Sequence, residues 1–187
     1  WESGNLTPRF AGAGSCNLMV YGSFLLDSLL NWQFDGNLYF RAGDTANLVR
    51  TEGRIIRGNT FFDGANGQWL LEGGYTSISN ISVLQGELQS RGYDITGLTF
   101  RSNSALPRSI RLGSSKIYIS AGDYTAWVLS SQQLQFDAGS SEIIFHSPNG
   151  GMYNIGGDSI HYYDVSFTNS GGCSELISSG TPCSFNH

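Results

Sequence analysis

A chain of 187 residues with 25 Gly, 13% charged and 13% aromatic residues is long enough to bury a core and too weakly charged for a polyelectrolyte tail. Charged residues run at about half of the ~25% usual in soluble domains and Gly near twice the usual ~7%; the 26 Ser and 13 Asn that cover the surface instead argue against a helical bundle or coiled coil. The net charge of -5, with nine scattered Arg and the single Lys116, leaves no basic stripe, so nucleic acid is not an expected partner.

The start, Trp1-Glu2-Ser3-Gly4, has no initiator Met, cationic start or apolar h-region. It reads as processed or excised from something longer. Residues 1–33 form a poorly assigned N-terminal segment of lead-in strands or a short helix. Gly22 to Trp32, with Phe24, Leu25, Leu26, Leu29 and Leu30, could wind as that helix, and two short strands explain it almost as well. From residue 34 the chain reads as short apolar segments separated by Gly, Ser, Asn and Asp, the punctuation of strands and turns. Leu38–Phe40, Arg54–Ile56, Trp69–Leu71, Ile81–Leu84, Tyr93–Ile95 and Leu98–Phe100 come first. Ser109–Leu112, Lys116–Ile119, Ala126–Leu129, Leu134–Phe136, Glu142–Phe145, Met152–Ile155 and Tyr163–Phe167 follow. Several alternate apolar and polar residues, as half-buried strands do. No run of 18 apolar residues occurs, so no membrane-spanning helix is expected in this segment.

A repeat organises these segments. Gly113-Ser114-Ser115-Lys116-Ile117 recurs as Gly139-Ser140-Ser141-Glu142-Ile143, and the same offset of 26 sets Ile110 on Phe136, Ile119 on Phe145, Trp127 on Tyr153 and Leu129 on Ile155. An offset of 23 sets Gly157 on Gly180 and Tyr162 on Phe185, and Phe34-Asp35-Gly36 echoes Phe62-Asp63-Gly64 at 28. Units of roughly 22–28 residues with two or three short strands each predict an all-β parallel β-helix over 34–187. An antiparallel β-sandwich is the alternative. A WD40-type blade needs ~40 residues and four strands. The repeat corners are Gly113, Ser114, Ser115 and Gly139, Ser140, Ser141: Gly takes the positive-φ position, the serines bond turn backbone, and Ile re-enters the core. Cys183 to His187 fall mid-unit, so further chain is expected beyond them.

Catalytic signatures are sparse. No G-x-S-x-G elbow, Walker loop or dinucleotide fingerprint occurs, and His146, His161 and His187 are far apart in sequence. Asp35, Asp44, Asp63, Asp123, Asp137 and Asp158 lie mostly beside Gly, where turn chemistry explains them. Calcium stays open, since turn carboxylates and carbonyls can supply oxygen ligands, but the tandem G-G-x-G-x-D repeat is missing; no cofactor is expected. No cysteine pair has metal-site spacing. Cys173 and Cys183, ten positions apart, could form a disulfide in an exported protein or remain buried thiols; Cys16 stays unpaired. An exposed ring can stack on a sugar, although a ring packed in a core ladder is the commoner case. Tyr118, Tyr124 and Trp127 are the candidate ligand contacts.

Phe61-Phe62-Asp63-Gly64-Ala65-Asn66-Gly67-Gln68-Trp69-Leu70-Leu71 is similar to an F-x-G-x-G-x-W-x-L segment. With Val83–Leu88 and Arg108–Ile117, the succession resembles the large repetitive surface proteins of Bacteroidota, including gliding-motility adhesins exported by the type IX secretion system. The likeness covers about 34–187 and is greatest over 61–145. It implies an extracellular, cell-surface stalk or adhesive region without fixed catalytic residues, contacting glycans or external surfaces and the secretion or motility machinery of the envelope. Two other expectations stand beside this non-enzymatic adhesin: a carbohydrate-active β-helix enzyme, lyase or hydrolase, and a subunit or cargo of a secretion or motility complex.

Overall fold

The structure, a computed structural model, describes residues 7–123, 125–147, 151–154, 160–168, 174–177 and 184–185, with the backbone alone of 151–154, 174–177 and 184–185. It is all β, and every strand pairing among the described residues is parallel. A β-sandwich, whose sheets are antiparallel, is thereby excluded. The chain winds as a β-solenoid of eight rungs, about seven turns, with three strand positions per rung.

Rung 1 holds β1 (Arg9–Gly12), β2 (Asn17–Val20) and β3 (Phe24–Leu25); rung 2 holds β4 (Asn31–Phe34), β5 (Asn37–Phe40) and β6 (Asn47–Arg50). In rung 3, β7 (Ile55–Ile56) precedes β8 (Thr60–Leu71), one bent strand that fills two positions. Rung 4 repeats this with β9 (Tyr75–Ser77) and β10 (Asn80–Gln89). Rung 5 has β11 (Ile95–Gly97), β12 (Thr99–Ser102) and β13 (Arg108–Arg111), and rung 6 has β14 (Lys116–Ile119), β15 (Trp127–Leu129) and β16 (Leu134–Asp137). Rung 7 has β17 (Glu142–Phe145), β18 (Gly151–Asn154) and β19 (His161–Tyr162). Rung 8 has β20 (Asp164–Phe167), β21 (Ser174–Ile177) and β22 (Ser184–Phe185).

Register confirms the long repeat. Ile110 pairs with Phe136, Ile117 with Ile143 and Ile119 with Phe145 at the 26-residue offset, and Tyr162 pairs with Phe185 at 23. Ile155, Gly157 and Gly180 lie outside the described residues. Rung length varies more widely than expected, from the 19 residues separating Trp69 and Leu88 to the 27 separating Phe100 and Trp127. The echo at 28 is not a register: Phe62 sits on Phe40, and Phe34 pairs with Gly12. In the described part of the first thirty-three residues the strand alternative holds over the helical one, and that part belongs to the solenoid. Solenoid strands already run from Arg9, no boundary falls at 34, and Gly22–Trp32 forms β3, a turn and the start of β4 instead of a helix. Phe24 and Leu26 are buried while Leu25 and Leu29 are exposed, an alternation that suits strands and wastes the apolar face of a helix.

Inward side chains stack rung on rung. Phe40 lies on Phe62 with centroids 4.8 Å apart and planes 10° from parallel, and Phe100 on Trp127 at 4.9 Å and 19°; the separations match the spacing of adjacent strands. A ladder of Tyr75, Ile95, Ile117 and Ile143 lines the first strand position. Several inward polar atoms are served inside the same ladders. The Thr60 and Tyr75 hydroxyls share a buried 2.7 Å bond, and burial pushes the Tyr75 phenol far above its ordinary value. The corners fall where the Gly-Ser-Ser motifs put them. Gly113 and Gly139 have φ of 57° and 58°, and Ser140 N–H donates to the Gly113 carbonyl at 2.7 Å. Ser115 and Ser141 point inward and are buried; the Ser115 hydroxyl bonds Ser90 Oγ in the rung below at 2.6 Å, and Ser90 passes the bond on to the Leu112 carbonyl.

Candidate functional site

Side chains on the outside of the solenoid also pair between rungs, and this organises the acids. Arg41 binds Asp63 at 2.9 Å, Arg111 binds Glu87 at 3.0 Å and Lys116 lies 3.4 Å from Glu142. Each pair joins neighbouring rungs. Glu142 is held below the usual carboxylate range, first by the Ser166 hydroxyl and then by Lys116; Lys116 is raised by its bond to Glu142. Other acids serve turns: Asp27, Asp123 and Asp137 accept the backbone N–H of the residue two positions on. Asp158 lies outside the described residues. Among those described, no three His, Cys, Asp or Glu side chains gather as metal ligands. No helix in the described chain is long and apolar enough to cross a membrane.

Among several concave sites on this surface, one is a groove of about 420 Å³ at the corner joining the second and third strand positions. Its origin is a difference in corner length. Opposite the four residues 64–67 of rung 3, rung 4 places Gly86 alone between Gln85 and Glu87. Rung 5 spends residues 103–107 on the same corner and rung 6 residues 130–133. The short rung between long ones leaves a notch. Gly86 suits it because its φ is 82° and a side chain there would meet the Gly64 and Gly67 carbonyls at 2.6 Å.

Burial within β8 shows how the sequence makes the bend. Thr60, Phe62 and Gly64 face inward; then Ala65 and Asn66 are both exposed, and Gly67, Trp69 and Leu71 resume inward in the opposite phase. The one-residue slip in phase aims Asp63 and Gln68 outward on either side of the corner. Gln68 donates to Glu87 at 3.0 Å and accepts from Ala46 N–H; Gln89 donates to the other Glu87 oxygen at 2.8 Å. The far wall rests on Arg108, whose side chain is buried. Its Nε donates to Ser102 Oγ at 2.6 Å, Nη1 to the Leu106 and Gln132 carbonyls, and Nη2 to the Ser102 and Ser130 carbonyls. All five guanidinium N–H groups are occupied, and burial pulls its pKa below the ordinary value.

The residues singled out from sequence fare differently. Tyr118 faces outward, half-buried, between Thr96 and Ile144 in register. Tyr124 lies outside the described residues, as do Cys173 and Cys183. Cys16 is free and exposed. Trp127 is not a surface contact: it is fully buried, stacks on Phe100, and donates its indole N–H to the Tyr162 hydroxyl at 3.0 Å. The alternation Trp127-in, Val128-out, Leu129-in decides its side. Gln68, Glu87 and Gln135, which line the groove, were missed by sequence reasoning, because outward amides look like ordinary surface cover. The detectable signal was Gly64-Ala65-Asn66-Gly67 set against the lone Gly86 one rung later.

The chain matches no protein family, no curated protein and no solved structure.

Proposed function

We propose that this chain is a non-catalytic segment of a large extracellular adhesin, a stiff β-solenoid stalk whose outer surface contacts glycans or other surfaces. One observation carries the reading: the two carboxylates flanking the outer bend of β8 and β10 are each engaged, Asp63 paired with Arg41 and hydrogen-bonded by Gln85, Glu87 paired with Arg111 and hydrogen-bonded by Gln68 and Gln89. Glycoside hydrolysis commonly takes two carboxyl groups facing one bond, one of them raised in pKa to act as an acid. Here carboxylates hold rungs together. Continuous inward ladders supply stiffness, and Ser, Asn, Gln and Tyr side chains supply a hydrogen-bonding exterior. The cell-surface location, the type IX export route and a part in gliding motility rest on the likeness of the 61–145 motifs to Bacteroidota adhesins.

The test is retention of the purified chain on mucin- and polysaccharide-coated surfaces, with the eluate assayed for reducing ends and unsaturated sugars. Retention without products is the expected result. Products would establish the carbohydrate-active enzyme in its place, and loss of all retention would reduce the chain to a spacer.

A further inference from the structure

We propose that the notch at rung 4 is a binding site for a neutral, hydroxyl-rich glycan segment; this rests on the adhesive reading and gives it a location. The volume of about 420 Å³ falls within the ~300–1,000 Å³ typical of ligand sites. One wall carries Thr45, Asn66 and Gln68, the other Ser131, Gln133 and Gln135, with Gly86 and Glu87 between them. Carboxamides and hydroxyls both donate and accept hydrogen bonds, which is what each sugar hydroxyl requires of its partners.

Charge narrows the ligand class. The two ionised groups in the lining are both engaged, Glu87 with Arg111, Gln68 and Gln89, and Arg108 with five oxygens of the corners of rungs 5 and 6. An anionic or cationic polymer finds no free counter-charge there, so a neutral one is favoured. Two further observations point to a ligand. Asn66 and Gln133, on opposite walls, are held at positive φ of 66° and 57°, a conformation that costs energy in a residue other than Gly and gathers at binding sites. The hydroxyl of Ser109, which lines the groove between Glu87 and Gln135, is buried without a hydrogen-bond partner. Buried hydroxyls are ordinarily satisfied. A sugar hydroxyl entering the notch, with a small turn of the Ser109 side chain, supplies the partner.

The experiment titrates the full chain with neutral gluco-, xylo- and manno-oligosaccharides, using oligogalacturonate and chitosan oligomers as charged counterparts, and follows the amide and side-chain resonances of Gln68, Ser109 and Gln135. Saturable shifts at these residues with a neutral oligosaccharide are expected, with affinity falling at least about tenfold in Gln135→Ala and lost in Ser131→Trp, which fills the notch. Ile78→Ala, at an exposed position outside the groove lining, leaves it unchanged. Circular dichroism and denaturation midpoints establish that each variant is folded. Groove resonances that stay still with every neutral oligosaccharide, equal binding of the charged oligomers, or undiminished binding by Ser131→Trp would each overturn the assignment. Retention on mucin, measured in parallel, separates the two claims: a chain that adheres with a silent groove refutes the groove alone, whereas one that binds oligosaccharide and cleaves it refutes the non-catalytic reading alone.

Discussion

Arg108 offers the sharpest test of how the corners are held. The residue is 3% exposed, has no carboxylate partner among the described residues, and directs five N–H groups at five acceptors across the corners of rungs 5 and 6. Arg108→Met keeps much of the apolar stem and removes every donor, leaving Ser102, Ser130 and Gln132 carbonyls without their charged partner. A hydrogen bond to a charged group contributes about 1.5–3 kcal/mol, offset here by the cost of burying the ion. A buried acceptor left unsatisfied typically costs about 1–3 kcal/mol, and with several stranded at once and the ion's burial cost relieved, a net loss of about 3 kcal/mol is expected. Arg108→Lys keeps the charge but offers three N–H groups to five acceptors, so an intermediate loss of about 2 kcal/mol is expected. Chemical denaturation gives the total. Amide exchange locates it, because a solenoid transmits stability between neighbouring rungs and protection should fall first at β13 and β16. An Arg108→Met chain as stable as the parent, with unchanged protection in rungs 5 and 6, would refute the reasoning.

Other perturbations follow from the same ladders. Trp127→Ala removes a fully buried ring from the Phe100 stack and should cost about 3–5 kcal/mol by denaturation; a surface-like loss below about 0.5 kcal/mol would contradict its placement. Gly139→Ala forces a side chain at φ 58° to within 2.3 Å of the Gly113 carbonyl, so a loss above about 1 kcal/mol is expected, whereas Ser140→Ala at the exposed neighbouring position should be nearly neutral. The Lys116–Glu142–Ser166 link has a defined pH window. Glu142 is depressed, so its contribution is present above the ordinary carboxylate value and disappears as pH falls through the lowered one; Lys116 is raised, so its contribution disappears as pH rises through the raised value. Glu142→Gln should flatten both limbs of the stability profile, and an unaltered profile would show the link to be inert.

Legibility varied with the source of each feature. The 26-residue register could be read because Gly113-Ser114-Ser115 and Gly139-Ser140-Ser141 perform one task, a positive-φ turn stacked on another with a buried serine re-entering the core, and identical backbone demands leave identical residues. Shorter rungs 3 to 5 hid their repeat, since their corners are built differently: four residues at 64–67, Gly86 alone, then 103–107. The same irregularity conceals the groove, which exists only as a difference between neighbouring rungs. Trp127 was misjudged among surface candidates because residue type alone does not give the phase of a three-residue strand; the core ladder supplies it. Residues 22–32 looked equally helical because Leu25, Leu26, Leu29 and Leu30 fit either period, and stacking of β3 on β6 and β4 on β1 decided between them. Arg108 read as one more scattered arginine, since its five acceptors come from backbone and a serine that lie apart until the corners fold.

Everything placed on the outer surface depends on which residues neighbour each other across rungs, and cysteine cross-linking reads that directly. With the native cysteines replaced by serine, Lys116→Cys and Glu142→Cys stand at register partners in adjacent parallel strands, ~4.8 Å apart at the backbone and within disulfide reach. Rapid oxidation to an intramolecular disulfide is expected, while Lys116→Cys with Ser166→Cys, two rungs away, stays reduced. A chain in which the second pair closes as readily as the first, or the first never closes, does not have this solenoid register.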